Sequence, residues 1–432
     1  MKNRYFSVVL LSVLTLSAMS QVSNTLSPYS QFGLGMLADQ SQSVGRGMGG
    51  VGIGMRGGQL VNMLNPASYS SVDSLSMIFD AGVMGQLTNF KEDAKKVNAH
   101  TADFDYAMAL FRVMPKMGVS VGFVPFSNIG YSFSVEGYAV DAKSGQANLA
   151  NKGTYAYKGS GGLSQAFIGI GWELAKGLSL GANLSYLWGD YSRTTTVTNS
   201  DSYASVMTQT YSGSISSYKL DLGAQWQHRL DKDRLLNVGA TVGIGHRLNG
   251  DAQFIRSTSS DSQADTSVVA DAFELPMSFG IGASLVSKNS LTLAVDYSLQ
   301  TWSKLKYPMV DAANSLYAQR SGVLSDRHRM ALGADWIPDA RSRSFLRRVH
   351  YRAGLYYATP YYKINGSNGP KEFGVSAGFG LPITNTWNNR SVLNVSAQWV
   401  RLSQSSFVTE NTFRINIGLT FNERWFAKWK VD

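Results

Sequence analysis

The sequence has no cysteine. That excludes disulfides, thiolate metal sites, a cysteine nucleophile and acylation of a lipoprotein thiol. Charge is scarce too: Asp, Glu, Lys and Arg make up 16% of 432 residues, against about 25% in an ordinary soluble domain. Beyond residue 20 no apolar run approaches the ~20 residues a spanning helix needs. The five histidines, His100, His228, His246, His328 and His350, fall in no close metal-ligand spacing. No catalytic constellation emerges, so neither an enzyme nor a cofactor is expected. A Ser–His pair assembled across strands is the alternative that sequence leaves open. The net charge is +10, but Arg341, Arg343, Arg347, Arg348, Arg390, Arg424, Lys428 and Lys430 sit in turns and at the end, with no binding motif. A nucleic-acid partner is not expected. Lipid headgroups, an acidic partner or plain solvation of a rim remain for these cations.

What is present begins with a leader. Lys2 and Arg4 precede an apolar stretch, Phe6 to Leu16, and Ala18-Met19-Ser20 is a small-x-small cleavage site. Residues 1–20 are expected to be a secretory signal peptide. The stretch VGRGMGGVGIGMRGGQLVNMLNPAS, Val44 to Ser68, then carries G-x-G-x-x-G twice. A dinucleotide fingerprint needs a preceding strand and a following helix. Here a polar run, LADQSQS, precedes it, so nucleotide binding is rejected.

Past residue 73 the dominant pattern is period 2. LSLGANLSYLW alternates Leu178, Leu180, Ala182, Leu184, Tyr186 and Trp188, and FRINIGLTF alternates Phe413, Ile415, Ile417, Leu419 and Phe421. Such alternation indicates strands with one apolar face. Asp80, Asp221, Asp296, Asp335, Glu136 and Glu173 fall between apolar neighbours and are expected to point the other way. Short polar turns alternate with long Ser/Thr/Asn-rich loops, the asymmetry of outer-membrane barrels. Fourteen strands result, near 74–87, 102–113, 117–139, 157–174, 178–189, 213–229, 234–245, 271–285, 291–302, 326–336, 349–360, 371–381, 391–402 and 411–421. Segment 190–212 is taken as loop. Trp172, Trp188, Trp226, Trp302, Trp336 and Trp399 lie near strand ends, as interfacial anchors do. The expected fold is an all-β, 14-stranded antiparallel transmembrane β-barrel spanning 74–421 in an outer membrane. A soluble sandwich is the alternative.

Fourteen strands enclose more space than side chains fill. Residues 21–73 are therefore expected to form an N-terminal hatch inside the lumen, with Arg46 and Arg56 meeting inward acids. A disordered periplasmic arm is the alternative, although QLVNMLNPASY is apolar for a solvated tail. Residues 422–432 form a basic tail, either a periplasmic extension or a docking element.

Several stretches resemble one family. NPASYS at Asn65 to Ser70 resembles the hatch element of the FadL/TodX transporters of long-chain fatty acids and hydrocarbons, and GFVPFSNIGYSF at Gly122 to Phe133 resembles their interrupted third strand. SPYSQFGLG at Ser27 to Gly35 and YRAGLYY at Tyr351 to Tyr357 are similar to stretches of the Bacteroidota branch. The resemblance implies a hydrophobic small-molecule ligand, bound in the lumen and released sideways through a gap in the wall. It also implies a hatch that responds at Asn65, Pro66 and Ala67. Phe123, Pro125, Phe126, Asn128 and Gly130 are the candidates for lining the gap. Pro125 cannot donate a ladder bond and so suits an interruption; a simple β-bulge is the alternative. Outer-membrane lipid or lipopolysaccharide would surround the barrel. Three functions follow: a transporter, a subunit or shuttle of a secretion or envelope-assembly machine as in the PorV branch of type IX secretion, or a structural barrel.

Overall fold

The computed structural model describes residues 27–74, 76–92, 95–140, 147–199, 205–260, 263–310, 316–383, 391–405 and 407–424. The signal peptide, and the tail from residue 425, lie outside them. Fourteen antiparallel strands form one closed sheet: β1 (Ser76–Glu92), β2 (Lys95–Met114), β3 (Met117–Val140), β4 (Ala147–Ala175), β5 (Leu178–Asn199), β6 (Met207–Arg229), β7 (Arg234–Gly243), β8 (Ser278–Ser287), β9 (Leu291–Gln300), β10 (Arg327–Trp336), β11 (His350–Ala358), β12 (Lys371–Ile383), β13 (Ser391–Ser403) and β14 (Thr409–Arg424). Each strand pairs with the next, and β1 closes the cylinder on β14, from Ser76↔Arg424 to Lys91↔Thr409. The last strand thus continues past Phe421 to Arg424.

The pleat sorts the side chains. On β5, Leu180 and Leu184 are exposed on the outside, while Ser179, Asn183 and Ser185 are buried on the inside. Val295, Leu332, Leu355 and Val375 continue the apolar outer surface around the wall. Trp172, Trp226, Trp336 and Trp399 are exposed on that surface, at the levels where aromatic girdles form.

Two expectations are corrected here. Trp302 is 1% exposed; it packs against Tyr361 in a cluster of the long-loop end, with ring centroids 4.7 Å apart and planes tilted by 43°, and is no girdle residue. Glu136 points outward, because the register shift between Pro125 and Ser127 exchanges the two faces of β3. Val121 is exposed before the shift, and Ile129 and Tyr131 are buried after it.

The long connections also differ from expectation. Segments read as loops at 88–101, 140–156 and 190–212 carry strand extensions, such as Thr194↔Thr210 between β5 and β6. Ala252–Thr258 adds a further strand to the extended end of β6. At this long-loop end Tyr191, Phe273, Tyr307, Tyr317, Tyr361 and Tyr362 form one buried cluster with Tyr29 and Leu34. Arg193 donates to the Gly33 carbonyl at 2.5 Å and to the Tyr307 hydroxyl at 2.8 Å, fastening that cluster to the chain's beginning.

Candidate lumen site and wall opening

Residues 27–73 pack against the inward face of the barrel, and small residues on both partners make this possible. Gly118, Gly171, Gly181 and Gly223 stand side by side on β3 to β6. A Cβ on Gly181 would lie 2.4 Å from the Pro66 carbonyl carbon, and one on Gly118 would lie 2.2 Å from the Tyr69 carbonyl oxygen. This glycine shelf seats the 3₁₀ turn Pro66–Ser71. Asn65 caps that turn, accepting from the Ala67 N–H at 3.1 Å, and its amide donates to the carbonyls of Ile53 (2.9 Å) and Ala224 (3.1 Å). Opposite, Gly333 and Gly354 admit Met48 and Gly49. Gly49 itself has φ +71° and would set a Cβ 2.8 Å from the Leu355 backbone. The glycine-rich stretch therefore serves close packing between two backbones.

Charge fixes the same segment. Arg46 is 2% exposed. Its guanidinium lies 2.6 Å from Asp105 Oδ1 and donates to the carbonyls of Ser41 (3.1 Å) and Asp39 (2.9 Å). Arg56 donates to Ser179 at 2.7 Å and lies 3.4 Å from Glu173, which also takes Lys116 at 3.0 Å. Asp296 Oδ2 accepts from the N–H groups of Gly52 and Ile53 at 2.6 and 2.8 Å. Burial of these charges is tolerable because the arginines are ion-paired and Asp296 is held by backbone N–H donors.

The wall is interrupted on one side. The β2–β3 ladder runs from Met114↔Met117 to Ala107↔Phe123 and stops. Above it β2 continues on β1 and β3 continues on β4. Phe126 is the extra residue of the bulge, since Pro125↔Ser164 is followed by Ser127↔Leu163. The free edge of β3 is taken by the N-terminal segment: Met36↔Asn128 and Leu37↔Ser127 pair, and the Ala38 N–H reaches the Phe126 carbonyl at 3.0 Å. Gln40 donates to the Pro125 carbonyl at 2.9 Å. Gly130 accepts from the Ser27 N–H at 3.0 Å and belongs to this seam. Phe123, the last paired residue, packs its ring 5.7 Å from Phe104 and 5.8 Å from Trp188.

A cavity of about 270 Å³ lies between segment and wall. Met36, Leu37, Phe104, Pro125, Phe126 and Asn128 border it at the interruption; Val242 and Phe279 border it on β7 and β8. Asp39, Arg46, Asp105, Asp296 and Arg329 give it an ionic side. Phe123 and Gly130 do not line it. Among the described residues no group of acidic or histidine side chains is placed to hold a metal.

Sequence reading missed the residues that accommodate the β3 bulge on the neighbouring strands. Gly161 and Gly162 on β4 and Gly189 on β5 have φ of +116°, +144° and +152°. A Cβ on Gly162 would lie 2.4 Å from the Ser127 carbonyl. The paired glycines in KGSGGL were the available signal, since glycine inside a strand marks a bulge or close approach.

A family model, BamG, matches residues 1–432. The chain belongs to the BamG family. No curated protein matches it. Among solved structures it is similar to a Pseudomonas aeruginosa FadL homologue, at 9% identity and TM-score 0.60, covering 90% of this chain and 99% of that one. It is similar to the Ralstonia pickettii toluene transporter TbuX, at 14% identity and TM-score 0.57, covering 88% and 98%. The CymD monoaromatic hydrocarbon channel matches at 16% identity and TM-score 0.55, covering 90% and 98%. At these identities the likeness is one of fold, and the FadL/TodX resemblance stands at that level for this BamG-family chain.

Proposed function

We propose that the protein carries a hydrophobic small molecule, of the long-chain fatty-acid class, through the outer membrane. The ligand binds in the lumen cavity and leaves sideways between β2 and β3. The observation that carries this reading is the end of the β2–β3 ladder at Ala107 and Phe123, beside a cavity bordered there by apolar side chains. A greasy ligand leaving at that point passes from protein to lipid without crossing water. Residues 27–73 act as the hatch, and Met36–Leu37 cover the opening from within. Asn65, Pro66 and Ala67 hold the hatch on its glycine shelf and release it when ligand arrives. The FadL homologue, TbuX and CymD share the fold, and two of the three are described as conducting hydrocarbons.

A second reading, a subunit or shuttle of an envelope-assembly or secretion machine, is favoured by one observation. The cavity has an ionic side, Asp39, Arg46, Asp105, Asp296 and Arg329, whereas ligand pockets for apolar molecules carry few polar groups. Deleting Phe126 separates the two. The deletion removes the β3 bulge, one of two register shifts beside the ladder's end, the other lying at Asp105 on β2. Uptake of a labelled long-chain fatty acid is expected to fall several-fold, and fatty acid seen by native mass spectrometry on the wild type should be lost. Wild-type uptake by a correctly folded deletion variant contradicts lateral release. An empty lumen with a stoichiometric membrane-protein partner favours the second reading.

A further inference from the structure

The outer face of β8 to β12 carries a feature that lumen transport does not use. Across these strands Ala334 faces Ala353, and Ala353 faces Ala377, at one level of the sheet. Leu293 and Leu355 rise beside this low row, leaving an apolar concavity of about 670 Å³ open to the outside. That volume lies within the ~300–1,000 Å³ of small-molecule sites. Directly toward the short turns stands an aromatic rim. Trp336 and Tyr351 have ring centroids 5.7 Å apart, and Tyr351 and Phe379 5.8 Å.

Below the rim the turn between β10 and β11 is fixed against the same outer face. The Tyr351 hydroxyl donates to the Leu346 carbonyl at 3.1 Å, the Asp339 N–H to the Arg347 carbonyl at 2.8 Å, and the Ile337 N–H to the Ser290 carbonyl at 2.7 Å. Phe345 and Leu346 are 47% and 66% exposed. Arg341, Arg343 and Arg347 are exposed around them, and Arg348 is half-buried. Among the described residues no carboxylate lies within ion-pair distance of these four arginines. Lys288 is exposed on the adjoining turn. The sequence IPDARSRSFLRR thus places apolar side chains and unpaired cations at headgroup depth, under a groove at acyl depth.

We propose that this face binds an anionic glycerophospholipid of the periplasmic leaflet, its phosphate on the arginine turn and an acyl chain reaching past the aromatic rim into the alanine groove. Charge complementarity selects this occupant over a zwitterionic lipid, because basic groups at the surface attract net negative headgroups. The short-turn end is the periplasmic end of such barrels, which separates this lipid from lipopolysaccharide on the far side. The inference is independent of what the lumen carries.

The test offers the full-length barrel equal amounts of phosphatidylglycerol and phosphatidylcholine with identical chains, and reads retained lipid by native mass spectrometry. Wild type should prefer phosphatidylglycerol by roughly tenfold. The fourfold variant Arg341→Gln, Arg343→Gln, Arg347→Gln, Arg348→Gln should lose the preference while remaining heat-modifiable on gels. Ala353→Phe, which fills the groove, should lower retention of both lipids. Equal retention by wild type, or a preference surviving the fourfold variant, would overturn the proposal. So would unchanged retention in Ala353→Phe, or a protein dimer joined through this face without lipid.

Discussion

Arg46→Met tests how the N-terminal segment is held. The substitution keeps an unbranched side chain and removes the charge. Asp105, 5% exposed, then loses its partner at 2.6 Å, and the carbonyls of Ser41 and Asp39 each lose a donor. Leaving one member of a buried pair uncompensated costs about 3–5 kcal/mol. The cost falls on the docked state of the segment, because an undocked segment would let water reach Asp105. At ~1.4 kcal/mol per factor of ten, local opening should rise by about two to three and a half orders of magnitude. Amide hydrogen exchange reports it directly. The N–H groups of Arg46, Met48 and Gly50 are bonded to the carbonyls of Gln42 (3.0 Å), Gly45 (2.8 Å) and Gly45 (2.8 Å), so their protection should drop together. The double variant Arg46→Met, Asp105→Leu removes both charges and should recover most of the protection, since an apolar replacement of an ion pair is often neutral. Wild-type protection in the single variant would refute the reasoning, as would a double variant as loose as the single one.

Two further outcomes follow from the same geometry. Asp296→Ala strips the acceptor from the Gly52 and Ile53 N–H groups, at about 1–3 kcal/mol for each buried donor left unpaired. Liposome-swelling assays should show faster leakage of small polar solutes, and an equally tight barrel would contradict a sealing role. Gly162→Ala forces φ +144° on an alanine and drives its Cβ to 2.4 Å from the Ser127 carbonyl. A loss of roughly 1–3 kcal/mol should lower the melting temperature by a few degrees, and an unchanged one would show that this position does not require glycine.

The barrel was legible because lipid on one side and a wet interior on the other impose period 2 on every strand inside the membrane. Leu180, Leu184, Ile415 and Ile417 declare their face without any contact information. Outside the membrane that constraint lapses. Thr194 to Val197 lie in a polar hairpin, with β-branched residues that favour strands, and a search for alternation passes over them. The site was legible in part. Pro125 marked the interruption, but the bulge that follows reverses the two faces of β3, and Glu136 therefore went to the wrong side. The glycine shelf was hidden for a different reason. Gly118, Gly171, Gly181 and Gly223 are scattered along the chain and become one surface only when four registers are aligned.

Because the chain has no cysteine, one engineered disulfide tests the central claim without interference. Leu37 and Ser127 face each other across the seam that covers the wall opening, and antiparallel partners lie about 4.5–5.5 Å apart, within disulfide reach. In the Leu37→Cys, Ser127→Cys variant, oxidation should hold the seam shut and slow uptake of a labelled long-chain fatty acid, and reduction should restore it. Uptake at the wild-type rate by the oxidised, cross-linked barrel would contradict release between β2 and β3.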